Sequence, residues 1–416
     1  MSGYAHRLIA FGAVVVQLAL FAATVSAKSP YHLHYSFTEA DGDGSFPTAP
    51  LLQSDSTFYG TTQLGGIGNQ FGTVFKYDSA DQSESALYDF AGGTADGERP
   101  SGSVIQSGNL LYGMTFSGGT YGGGTIYSYD TTAAAEIPLY SFGAFMGDGF
   151  TPSGALIQSG TTLYGVTSSG GANATGGNDG TLFQFDTVTH AEKILYTFTN
   201  SLSDGIVPDG SLVKSGSFLY GTTSQSPGSA GTIFQFDLSS GTEKILHFFD
   251  GSGDGASPAG SLILSGSSLY GLTIGGGVDD DGTLYKYDLD TDTETVLYSF
   301  KGGATDGKFP EGALALSGSV LYGMTEEGGS FADGTIFSFD LNTDMEVPIF
   351  SSDTSTGDLA SGSLTVAGNS LYGTTRAGGA SNSGTVFSID VPEPSMVGVI
   401  FVSVAFLVCR RWVRVG

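Results

Sequence analysis

The stretch HLHYSF, His32 to Phe37, decides the fold, because segments of its form otherwise recur only further along the chain. ALYDF, PLYSF, ILYTF, ILHFF, VLYSF and VPIF each set an aliphatic–aromatic run ahead of a polar connection. Alternating apolar residues bounded by turn formers are the signature of a short strand. These six lie inside a tandem repeat, whereas HLHYSF stands alone before it.

Three further strand patterns fill each repeat. Tyr-Gly pairs begin at Tyr59, Tyr112, Tyr164, Tyr220, Tyr270, Tyr322 and Tyr372, spaced 50 to 56 residues apart. A Gly-Thr-aliphatic-aromatic block begins at Gly72, Gly124, Gly180, Gly231, Gly282, Gly334 and Gly384. In GTIFQFD, Phe234 and Phe236 share one strand face, with Ile233 and Gln235 on the other. The remaining strand follows a proline, as in PSGSVIQSG and PEGALALSG. Four strands in about 50 residues make one propeller blade.

Seven copies of three strands but six of the fourth leave a gap that HLHYSF fills. As the outer strand of the blade ending at Asp390, it joins the last blade to the first and removes two sheet edges. A solenoid has no reason to divide a repeat between its termini. The expected fold is therefore all-β, a seven-bladed β-propeller of four-stranded blades closed by the N-terminal strand.

Composition agrees. With 66 glycines and 12% aromatics, the chain suits many strands and tight turns. Its glycines lack the three-residue period of collagen, and its apolar residues are spread widely enough to build a core. A formal net charge of −27 argues against nucleic-acid binding.

The repeat, LYGxTxxGG…GTxFxxD…LYxF…DGxxP, resembles the GloVer-type tandem repeats over about residues 32–390. These are named in proteins that vary in their choice of surface anchor. Two stretches depart from the pattern. GTTSQSPGSAGT lacks the glycine pair, and SSDTSTGDLASG lacks the usual Asp-Gly and proline. The resemblance bears on the fold and supplies no established enzymatic activity.

Both ends read as processing signals. Residues 1–27 combine His6 and Arg7, an apolar run and Val25-Ser26-Ala27, the order of a secretory signal peptide with cleavage after Ala27. A retained membrane anchor is the rival reading, since the run approaches spanning length. At residues 391–416, Pro392-Glu393-Pro394 precedes an apolar segment from Met396 to Cys409, then Arg410, Arg411 and Arg414. Fourteen residues reach roughly 21 Å as a helix, a short transmembrane segment held by cytoplasmic arginines. This order resembles the PEP-CTERM sorting signal of Gram-negative bacteria that make exopolysaccharide. The resemblance implies an exosortase partner and export to the cell surface or extracellular matrix. The mature propeller, residues 28–390, contains no cysteine and so no disulfide.

Chemistry is harder to locate. SLYGLTIGGGVDDDGTLYKYD, Ser268 to Asp288, lacks the Gly-Lys-Ser/Thr of a phosphate loop. Asp279, Asp280 and Asp281 offer oxygens to calcium but read better as a solvated turn, as do Asp288, Asp290 and Asp292. More regular are Asp43, Asp96, Asp148, Asp204, Asp254 and Asp306, each before a glycine and four residues ahead of a proline. An Asp-Gly turn leading into a rigid strand accounts for them. The alternative is a ring of carboxylates at one channel mouth, a cation- or glycan-binding face for Ca2+ or exopolysaccharide. His32, His34, His190 and His247 have no recurrent acid partner in the sequence and read as structural or surface groups. No catalytic constellation stands out. The expectation is a non-enzymatic envelope or matrix protein that binds polysaccharide, with no cofactor. A propeller glycoside hydrolase or lyase and a purely structural matrix protein are the rivals.

Overall fold

A computed structural model describes residues 31–391 except 39, 69–70, 172–178 and 358–361. The signal cleavage residue Ala27 and the sorting residues Pro392, Glu393, Pro394, Arg410, Arg411 and Arg414 lie outside these residues. Among the described residues no helix is long and apolar enough to cross a membrane.

Seven four-stranded antiparallel sheets form the seven blades of a propeller. Six follow the chain from inner to outer strand, as in Gly149–Ser159, Thr162–Gly170, Thr181–Asp186 and Glu192–Thr197. The seventh joins Leu364–Ala367, Ser370–Thr375 and Thr385–Asp390 to the N-terminal strand Tyr31–Ser36, with Leu33 opposite Phe387. The expected closure is present, one residue earlier at each end than HLHYSF.

Packing between blades explains the residue pattern. Strands two and three are covered on both faces, so Thr125–Asp130 is buried almost throughout. The outer strands are only partly covered. Each apolar cluster straddles two blades: Tyr112, Met114, Ile126 and Phe142 of the second meet Leu156, Leu163, Phe183 and Phe185 of the third. The Tyr-Gly glycine gives the strand-three aromatic room, since a Cβ on Gly113 would overlap the Tyr127 ring. The two recurrent threonines also pair, as Thr115 and Thr125 Oγ1 do at 2.9 Å, in all seven blades.

The first strands differ from expectation. They begin before the proline, as in Gly97–Ser107 with Pro100 inside. The inner strand is a blade edge, so a residue without an N–H interrupts no ladder on its axial side. Beyond the proline the register slips, between Ser101 and Ile105 in the second blade and at the matching place in the third to sixth. In the first blade, Pro47 and Pro50 split this strand into Gly44–Ser45 and Leu52–Ser54.

Candidate functional site

The slips on the inner strands build an axial cavity of about 360 Å³. Gly102, Gly154, Gly210, Gly260 and Gly312 take positive φ there, and a Cβ on any of them would overlap the next blade's carbonyl. Five glycines thus bring the inner strands together around the axis. Serine hydroxyls tie neighbours together: Ala155 N–H donates to Ser211 Oγ at 2.8 Å, and Ser211 N–H to Ser261 Oγ at 3.0 Å. Ala313 N–H donates to Ser363 Oγ at 3.0 Å.

Charge and an aromatic ring complete the lining. Asp209 accepts from the Ser153 hydroxyl and from Gly210 N–H. Glu311, Arg376, Gln63 and Phe116 also line the cavity. Phe116 is 43% exposed. Hydroxyls, carboxylates, a guanidinium and an exposed ring suit a small ligand rich in hydroxyl groups.

The six Asp-Gly carboxylates do not line this cavity. Asp96, Asp148, Asp204 and Asp306 are buried inside the junctions between blades. Each accepts from the tyrosine at the end of the preceding fourth strand, as Asp148 does from Tyr140 at 2.9 Å. The same oxygen accepts a loop N–H, such as Gly143 at 2.8 Å, and the other accepts from the next glycine, such as Gly149 at 2.7 Å. Asp43 is held similarly by Tyr35 and Thr38. In place of the alternative ring at one mouth there are six latches, because carboxylates bound to their own turns leave the surface.

A third column completes each latch. Glu84, Glu136, Glu192, Glu243, Glu294 and Glu346 begin the fourth strand of the blade that follows. Burial, and next the charge of the neighbouring aspartate, push Glu136 up to about 7 and Glu192 to about 8. A tyrosine hydroxyl pulls each back part of the way. The column stands in the sequence as the first residue of ESALYD, EIPLY, EKILY, EKILH, ETVLY and EVPIF.

At the fifth of these latches histidine replaces tyrosine. His247 Nε2 lies 2.8 Å from Asp254 Oδ2, so this histidine has an acid partner in the recurrent position. With Glu294 they bring three ligand atoms within 4.8 Å of one another. The other histidines are dispersed. His32 lies 3.2 Å from the exposed Asp390, His34 2.8 Å from Ser388 Oγ, and His190 sits in a turn with positive φ. In the aspartate loop, Asp280 caps Gly276 N–H at 2.9 Å, while Asp288 accepts from Asp290 and Thr291 N–H. Both are self-capped turns.

The Gloeobacter/Verrucomicrobia repeat profile matches residues 9–230 and 223–402. No curated protein matches the chain. Among solved structures, it resembles the extracellular domain of BT4673 from B. thetaiotaomicron, with TM-score 0.56 and 12% identity over 87% of this chain and 40% of that one. It also resembles an oligogalacturonate lyase in complex with manganese, with TM-score 0.54 and 13% identity over 84% and 90%. The oligogalacturonate lyase VPA0088 from Vibrio parahaemolyticus gives TM-score 0.52 and 11% identity over 87% and 94%. At such identities the likeness concerns the fold alone.

Proposed function

This chain belongs to the Gloeobacter/Verrucomicrobia repeat family, and from that premise we propose an exported, non-catalytic propeller whose axial cavity binds a saccharide of the envelope or matrix. The cavity carries the reading. Its serine hydroxyls, Asp209, Glu311 and Arg376 offer donors and acceptors at the scale of one or two sugar rings, and Phe116 offers a face for stacking. The terminal signals supply the address, with an exosortase-type enzyme as processing partner and exopolysaccharide as the nearest abundant ligand.

The test is co-sedimentation of the purified protein with the producing organism's exopolysaccharide, with calcium or with chelator, alongside an assay for released oligosaccharide. Saturable binding that falls at least tenfold in Phe116→Ala and Asp209→Ala, without product, is the expected result. Released oligosaccharide would make the protein a lyase or hydrolase. No binding at all would leave a structural role, and chelator sensitivity would bring calcium into the site.

A further inference from the structure

We propose that His247, Asp254 and Glu294 form a binding site for a first-row divalent ion of the Zn2+ or Mn2+ kind, joining the fourth blade to the fifth. The three come from separate segments. His247 lies on the outer strand Thr242–Phe248, Asp254 on the connection that follows, and Glu294 on the next outer strand, Thr293–Ser299. One imidazole nitrogen and two carboxylate oxygens lie within 4.8 Å of one another. Bound to one ion at about 2.1 Å each, they would sit roughly 3.4 Å apart, which rotations of the two carboxylates can supply.

The molecule contains its own control. At the five other latches a tyrosine hydroxyl stands where His247 does and donates to the aspartate. Glu294 Oε1 is sealed from solvent without a partner, as is the Oε1 of the other five glutamates in its column, so the site differs from them by its histidine. Replacing tyrosine by histidine therefore exchanges a hydroxyl donor for a ligand nitrogen beside two carboxylates. Asp250 adds a further negative charge beside the pair, which favours a cation. The side chains of His247 and Asp254 remain 22% and 17% exposed, so an ion has access from solvent and water can complete its coordination. A mixed nitrogen–oxygen set selects a borderline transition ion over Ca2+, which prefers oxygen throughout.

Purified protein, stripped with chelator and dialysed, is titrated calorimetrically with Zn2+, Mn2+ and Ca2+, and its thermal unfolding is followed with each. One Zn2+ or Mn2+ per chain, with a midpoint that rises with metal concentration, is the expected result. His247→Tyr installs the residue that the other five latches already use, so the variant should fold. It should bind at least tenfold more weakly and lose the metal-dependent rise, and Glu294→Gln should do the same. Three results would overturn the site: no binding to the parent protein, binding of Ca2+ alone, or binding that survives His247→Tyr. In the first case the contact is a histidine–aspartate hydrogen bond that replaces that of the phenol. In the last, a fall in His32→Ala would place the ion beside Asp390 instead.

Discussion

Six junctions between blades are polar latches, and the seventh, between the sixth and seventh blades, is an aromatic seam. At the latches a tyrosine or histidine ends one outer strand, an aspartate holds the turn, and a glutamate reaches in from the next outer strand. At the seam Phe350 stands for the tyrosine and Tyr31 for the glutamate, while the Tyr31 hydroxyl donates to the Thr356 carbonyl where the aspartate would be. The Tyr31 ring stacks on Phe350 at 4.5 Å and on Phe387 at 5.1 Å. At this junction all three members change together, whereas at the fifth latch only the tyrosine does. The closing strand belongs to both kinds. Tyr31 faces the last repeat through stacked rings, and four residues on, Tyr35 hydrogen-bonds Asp43 in the ordinary way.

The broadest way to break this comparison is pH, because it acts on six latches at once and spares the seam. The six glutamates lie near 7 to 8 in the folded protein, against 4.5 for a free side chain. The folded state therefore holds protons that the unfolded chain releases between pH 4.5 and about 8. Stability contributed by these groups is complete below pH 4.5 and is lost as pH rises through 7 to 8. The thermal midpoint should be higher at pH 5 than at pH 8, and Glu192→Gln should flatten the slope. A midpoint that rises over this range would mean that the latch glutamates are ionised in the fold.

A smaller effect comes from the seam alone. Tyr31→Glu restores the residue of the other six copies, but there it meets Phe350 with neither a tyrosine hydroxyl nor an aspartate turn. A buried carboxylate without partners and a lost aromatic stack should together cost about 3–5 kcal/mol in urea unfolding at pH 8. Adding Phe350→Tyr should recover at least ~1 kcal/mol, since neighbours in one network do not add. If the two changes are simply additive, the seam and the latches are not alternative solutions to one junction.

The ring was legible because its evidence is repetition. Seven Tyr-Gly pairs, seven Gly-Thr blocks and a stray HLHYSF admit one closed arrangement. The placement of the aspartates was not legible, because Asp-Gly before a strand looks the same whether the carboxylate faces solvent or turns inward. What decides is a hydroxyl eight residues upstream and a glutamate in the following blade, and neither distance is a local pattern. Reading the repeats as columns would have shown Glu84 to Glu346 in register, Tyr31 as their seventh counterpart, and His247 and Phe350 as the substituted rings. The axial cavity was hidden for another reason. Glycines after the prolines looked like strand residues, and only the slip in register brings them to the axis.

The narrowest test removes one oxygen from one latch. Tyr140→Phe keeps the ring against Phe142 and Phe185 and takes away the donor to Asp148. Asp148 keeps its bonds from Gly143, Ala144 and Gly149, so the turn survives and the cost should stay near 1–3 kcal/mol. The cost should also depend on pH. The Tyr140 hydroxyl draws the Glu192 carboxyl downward against burial and the charge of Asp148, so its loss sends Glu192 higher still. The variant then holds its proton to a higher pH than the parent does, and the added penalty grows as pH rises through the range where the parent's carboxyl ionises and the variant's does not. Unfolding should therefore separate the two proteins more widely at pH 8 than at pH 5. An equal gap at both would detach Glu192 from the latch and leave a plain tyrosine–aspartate pair, with the glutamate column carrying charge for some other end.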